Sequence, residues 1–446
     1  MGGMNRRNFI AGTLAAAAGP ALAAPASQYG LDAAQFGVHP GAPDDQSAKL
    51  QRAINEAAAT RIPLVLAPGV YRAGALRLSP GAQLAGVRGA TFLTFTGGET
   101  LIFAEHADGL SLAGLTLQGG NRPLPQHRGL VHFTDARAFR IADCAVAVAG
   151  GNGIVLERCD GSVTGTAVTD AADTAIFVSD CRGVLLTGNT IRGSGNGGIR
   201  VWQSEARDDG TIVADNRIED TRARGGGDGA NGNAVNVFRA GNVIVRANQI
   251  RKAAFSAIRG NAASNIQILG NNCASIGEVA IYSEFGFEGA VIAQNVVDGA
   301  AVGVAVTNFK QGGRLAVVQG NVIRNLTPRR PQGGGDAAGL GIGVEADTAV
   351  TGNVVENAPF MGISVGAGPY QRNIAVSGNV VRTAGIGIGV SVAAGAGAAA
   401  ITGNVIEGAK RGAIVGMEWD KPVTGDLLAE GAQRFPQLTI ANNRAG

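Results

Sequence analysis

Gly320-Asn321-Val322-Ile323 returns as Gly352-Asn353-Val354-Val355, Gly378-Asn379-Val380-Val381 and Gly403-Asn404-Val405-Ile406. A phrase recurring at roughly one β-helix coil is the mark of a stacked repeat. Upstream the same asparagine position is held by Asn189, Asn216, Asn248, Asn271 and Asn295, and downstream by Asn442, with Gly, Ala, Asp or Gln before most of them. Asparagine tolerates the left-handed turn conformation, and its amide can bond to the Asn one coil above. The sequence therefore reads as an all-β parallel β-helix.

Composition agrees. Of 446 residues 70 are Gly and only 5% are aromatic, and apolar residues come in short β-branched bursts between turn residues, as a solenoid requires. No Pro/Ser-rich linker or charge block divides the chain after residue 30, so residues 27–446 read as one elongated domain.

Asn5-Arg6-Arg7-Asn8-Phe9-Ile10 precedes an Ala/Leu-rich run to Leu22, and Ala21-Leu22-Ala23 has the small-x-small form of a cleavage site. Residues 1–26 are expected to be a twin-arginine signal peptide that sends the protein to the periplasm or beyond. The apolar run is shorter than the ~20 residues a spanning helix needs. Loss of Arg6 and Arg7 takes the formal charge from +3 to +1, which leaves no basic excess for nucleic acid.

Residues 44–59 are expected to form a helix capped by Asp44 or Asp45, with Leu50, Ala53, Ile54 and Ala57 on one face, closing the first coil. Phe36-Gly37, Asp44-Asp45, Leu50-Gln51-Arg52-Ala53-Ile54 and Pro68-Gly69-Val70-Tyr71 together resemble the opening of pectate-lyase-like right-handed β-helix proteins. With the arginine pair and the repeats, the whole chain resembles twin-arginine-exported repeat proteins of that superfamily, a set without an assigned reaction. The resemblance implies a right-handed single-stranded parallel β-helix of roughly a dozen coils and export, and it implies no reaction.

Each coil carries a second apolar anchor: Val131, Ile154, Ile176, Ile199, Val235, Ile258, Ile281, Val304, Ile342, Ile363, Ile388 and Ile414. The coil then runs to a second strand such as Val243-Ile244-Val245, passes the Asn turn, and makes a third strand such as Gln249-Ile250. Alternation points the anchor and the residue two later inward, and the residues one and three later toward solvent. Cys159 and Cys181 each follow an anchor by five residues, so adjacent coils stack them about 4.8 Å apart, a spacing open to a disulfide or to two buried thiols. Residues 417–446 leave the period and are expected to be the C-terminal cap, with a short helix at Gly425–Ala432 and a last strand at Leu438-Thr439-Ile440.

The outward columns turn polar and aromatic in the middle coils. Two long return loops, Asp220–Asn233 and Arg324–Gly339, stand four coil steps apart, about 19 Å, enough for several sugar rings. Between them the floor is expected to hold Asn236, Arg259, Tyr282 and Glu284, with Asn261, Glu345, Arg200, Trp202 and Phe238 around it and Arg239, Asn308 and Lys310 in the turns beyond. Arg259 and Lys310 suit the carboxylate of an acidic polysaccharide. In a lyase, Tyr282, Lys310 or Arg259 would then take the acidified sugar proton, while Trp202, Phe238 and Tyr282 offer stacking faces.

Hydrolysis needs paired carboxylates, and Glu284 with Glu345, Asp170 with Asp173, and Asp208 with Asp209 are the pairs available. Asp208-Asp209 reads as a solvated turn beside Arg207. No Gly-His-Gly or Arg-Ile-Lys of the polygalacturonase kind occurs. The four histidines lack metal-ligand spacing, and calcium is left open only at carboxylates such as Asp228 or Asp336. The expectation is thus a lyase before a hydrolase on an acidic, uronate-containing polysaccharide, with no cofactor and no membrane partner after signal removal. A non-catalytic glycan-binding or envelope-structural solenoid is the alternative.

Overall fold

The computed structural model describes residues 30–227, 229–307, 309, 314–328 and 338–446; the arginine pair and the expected signal peptide lie outside them. The chain winds into a parallel β-helix of about 13 turns. Sixteen second strands, from Leu31–Asp32 to Leu438–Ala441, form one continuous parallel sheet. The anchor strands and the third strands build the other two faces, and several long strands such as Val354–Val365 and Val380–Ser391 bend from one face to the next.

All twelve expected anchors pair in register, Val131 with Ile154 and on to Ile388 with Ile414. Every one is 0% exposed. Ile102 and Leu76 extend the column two coils further toward the N-terminus. Each such Ile or Val contributes about 1.5–3 kcal/mol by leaving water.

The asparagine position forms a ladder through the turn between second and third strands. Asn295 is representative: its Nδ2 donates to Ile268 O and to Asn321 Oδ1, both at 3.0 Å, and its Oδ1 accepts the backbone N–H (2.9 Å) and Nδ2 (3.0 Å) of Asn271. Both amide donors and both acceptor lone pairs are used. Two details differ from the sequence expectation. The left-handed residue is the one before each rung, as at Gly188, Asp215, Ala247, Gln294 and Gly320, and not the asparagine itself. At the C-terminus Asn442 takes that left-handed position (φ 56°), and Asn443 is the rung that receives Asn404.

The N-terminal helix spans Ser47–Thr60, starting three residues later than expected. Asp45 Oδ1 accepts the Ser47 N–H at 2.8 Å, so Asp45 turns the chain into the helix without being its first residue. Leu50, Ala53, Ile54, Ala57 and Ala58 cover the first coil. At the other end Lys421–Asp426 turns back antiparallel on Ile414–Glu418, and the helix Leu427–Glu430 is shorter than expected, capped by Asp426. Cys159 and Cys181 stack as the phase requires and are free thiols, the Cys159 N–H donating to Cys181 Sγ at 3.1 Å.

Replacing Asn295 by Ala strands the Asn271 donors and the Ile268 carbonyl in the core, and is expected to cost at least about 2 kcal/mol, read as a lower urea midpoint. Asn442→Gly, at a left-handed turn position, is expected to leave the midpoint unchanged; equal losses in both would contradict the assignment of rungs.

Candidate functional site

The anchor strands place Arg200, Asn236, Arg259, Tyr282 and Ala305 in one outward column and Trp202, Phe238, Asn261, Glu284 and Thr307 in the next, by direct pairing between neighbouring coils. At their centre Arg259 Nε donates to Glu284 Oε1 at 2.6 Å, and Asn261 Nδ2 donates to the same oxygen at 2.9 Å. The Arg259 guanidinium carbon lies 5.0 Å from the Tyr282 ring centroid. Arg259 and Glu284 are only 13% and 3% exposed at their side chains. A pair this buried is costly to break from one side, about 3–5 kcal/mol.

Burial also pushes the Tyr282 phenol up to about 12. Its Oη accepts the Thr307 hydroxyl at 3.3 Å. At neutral pH this phenol is protonated and can act as a proton donor.

The return loop, described over residues 222–227 and 229–232, lies on this face, where an open floor was expected. Asn236 Nδ2 donates to Gly229 O at 3.0 Å, and Arg200 Nη2 donates to Asn231 Oδ1 at 2.8 Å. A Cβ at Gly229 would stand 3.1 Å from Arg259 Nη2, and one at Gly227 only 2.0 Å from Phe255 Cζ. The glycines therefore let the loop wrap the Phe255 ring and close on the guanidinium. Asn236 is consequently buried, and Glu284 is buried with Arg259 and Asn261 as its partners, although alternation points both outward.

Beside the ion pair runs an aromatic stripe. Phe177, Trp202 and Phe238 meet edge to face at 5.3 and 5.7 Å, Arg200 and Arg239 lie against the Trp202 and Phe238 rings at 5.2 and 4.8 Å, and Trp202 Nε1 donates to Asn236 Oδ1. Glu345 sits two coils beyond Glu284 and its Oε2 accepts the Phe309 N–H at 2.9 Å. Two coil steps, about 9.6 Å, separate it from Glu284, whose Oε1 is held by Arg259 and Asn261. Asn308 and Lys310 lie outside the described residues, as do Asp228 and Asp336. Among the described residues no group of three His, Cys, Asp or Glu side chains could hold a metal ion.

Sequence reasoning missed several features. Gly119–Arg128 is a third long return loop, flagged by Gly119-Gly120 and by Pro123 and Pro125. His132 is 2% exposed beside Arg128 and Phe103, and neither ring nitrogen has a hydrogen bond partner among the described residues; Glu157 Oε1 is 3.6 Å from Nε2. Asp209 is a correction: it is 4% exposed, accepts Gln203 Nε2 at 2.7 Å and the Thr211 N–H at 2.9 Å, and burial raises its pKa, whereas Asp208 alone is exposed. Phe309, Tyr370 and Trp419 also converge from separate coils, with ring centroids 4.3 to 6.2 Å apart.

The chain matches the family model described as a right-handed β-helix region over residues 128–225 and 152–323, so the solenoid is a right-handed parallel β-helix, the hand expected of parallel crossovers. Among solved structures, the N-terminal fragment of gene product 12 from bacteriophage phi29 is 13% identical, covering 87% of this chain and 69% of that one at a TM-score of 0.55. The catalytic unit of a GH87 α-1,3-glucanase from Streptomyces thermodiastaticus is 14% identical, with coverages of 95% and 70% and a TM-score of 0.47. The A-module of mannuronan C-5 epimerase AlgE4 from Azotobacter vinelandii is 15% identical, with coverages of 92% and 99% and a TM-score of 0.45. No protein of curated function matches the sequence. At these identities the likeness is one of fold.

Burial and the neighbouring Arg128 lower the His132 pKa from 6.5 to about 4. The unfolded chain then binds more protons than the folded one between these values. Stability is full above pH 6.5 and falls as pH drops toward 4, by about 3 kcal/mol at most. Denaturation midpoints of His132→Leu measured from pH 7 to 4 are expected to lack this component; a slope identical to wild type would contradict it.

Proposed function

We propose that the outer face of the anchor sheet, over the coils from Val235 to Ile342, binds an acidic polysaccharide and cleaves it by β-elimination. The observation that carries this proposal is the pairing of Arg259 with Tyr282 on adjacent coils, guanidinium against ring, beside the Phe177, Trp202 and Phe238 stripe. Glu284 holds Nε and fixes the plane of the guanidinium, so a uronate carboxylate would meet its two Nη groups beside the Gly229 backbone that lies against them. Neutralising that carboxylate acidifies the sugar proton α to it.

Lys310 then takes the C5 proton, the C–H electron pair becomes the C4–C5 double bond, the C4–O bond breaks, and the leaving oxygen takes the proton of Tyr282. A phenol with its pKa near 12 is protonated through the neutral range and suits that last step. The aromatic stripe supplies stacking for the flanking sugars. No cofactor is called for. Arg6-Arg7 and the apolar run after them support export by the twin-arginine route, which would bring the protein to such polymers outside the cytoplasm.

Non-catalytic binding on the same face is the second reading, favoured by one observation: Glu284 already neutralises much of the Arg259 charge. Absorbance of the unsaturated uronate product separates the two when the mature protein is incubated with pectic, alginate and glycosaminoglycan polymers and reducing ends are counted in parallel. Elimination predicts rising absorbance, and a loss of kcat of about 100-fold or more in Tyr282→Phe with stability unchanged. New reducing ends without absorbance would replace elimination by hydrolysis, and polymer binding with neither signal would establish the binding reading.

A further inference from the structure

Away from this face, the turn between anchor and second strands carries two rows of charge over the coils anchored by Val131, Ile154, Ile176 and Ile199. In the first row Asp135 holds Arg158 through both oxygens at 2.8 and 2.9 Å, and Asp180 accepts Arg207 Nη2 at 3.0 Å. In the second row Arg137, Asp160 and Arg182 alternate, each two residues beyond its first-row neighbour. Asp160 Oδ1 is engaged by the Ala138 N–H at 2.8 Å. The guanidiniums of Arg137 and Arg182 are exposed, and neither has a hydrogen bond or ion-pair partner among the described residues. The rows enclose a cleft of about 380 Å³ lined by four arginines against two aspartates, with Cys159 at its base.

Four guanidiniums against two carboxylates give the lining a net positive charge, and Arg137 and Arg182 are two forked donors free to take oxyanions on either side of the Asp160 carboxylate. Their spacing is informative. Arg137 and Arg182 stand two coil steps apart, about 9.6 Å, close to the span of two residues in an extended saccharide. We propose that this cleft is a second binding site, taking two carboxylate or sulfate groups carried by an acidic saccharide and separated by two sugar residues. It shares its ligand class with the proposed function and rests on that reading to this extent, but none of its residues belongs to the Arg259 face.

Calorimetric titration of the full chain with hexauronates of the pectic and alginate types tests it, with inorganic phosphate and a single uronic acid as competitors. Wild type is expected to show two classes of site. Arg137→Ala/Arg182→Ala is expected to weaken one class at least tenfold and to leave the class that Trp202→Ala removes untouched, because both arginines are exposed and unpaired. Binding by the double variant within twofold of wild type would overturn the proposal and leave the Arg259 face standing. Displacement by phosphate or by the monomer at the hexamer's own concentration would also overturn it, reducing the cleft to a simple ion site. A wild-type titration that lacks the class assigned to Trp202 and keeps the other would count against the proposed function and not against this cleft.

Discussion

The asparagine ladder is the constraint on which the other features depend. A buried amide with all four hydrogen-bonding positions used tolerates no slip between coils, because a one-residue shift would leave donors and acceptors unpaired where water cannot reach them. From Asn189 to Asn443 the rungs therefore hold the second and third strands in phase. With that phase set, the anchor of every coil falls on the anchor of the next. The outward columns, and so the identity of every neighbour on the candidate face, follow from it.

On that face structure and chemistry compete for the same residues. Arg259 and Glu284 satisfy each other in a nearly closed setting, and the glycine loop ending at Asn233 lies against the Arg259 guanidinium. The scarce aromatics are placed with similar economy: both tryptophans lie in clusters outside the core, Trp202 with Phe177 and Phe238, Trp419 with Phe309 and Tyr370. An aromatic ring left partly in water forgoes burial that a core position would have given. That pattern is what a surface for flat, amphipathic rings such as sugars would require.

Much of this was legible before any coordinates. Period-two alternation was enough to place Arg259 beside Tyr282 and Asn261 beside Glu284, since neighbours in a parallel stack follow from phase alone. It was not enough to say which outward residues meet solvent. Asn236 and Arg259 are covered by a loop whose path depends on Phe255, and Asp209 is buried with a hydrogen bond from Gln203 six residues earlier; neither leaves a trace in local periodicity. The one-residue error at Asn442 has a similar origin, because Asn suits both the left-handed position and the rung, and only pairing with Asn404 decides between them.

Hydrogen exchange of the mature protein with and without a bound hexauronate tests the central claim most directly, namely that the ladder-fixed face over the middle coils is where the ligand sits. Added protection is expected in residues 229–236 and 258–284. Binding that leaves the exchange of residues 258–284 unchanged would contradict it.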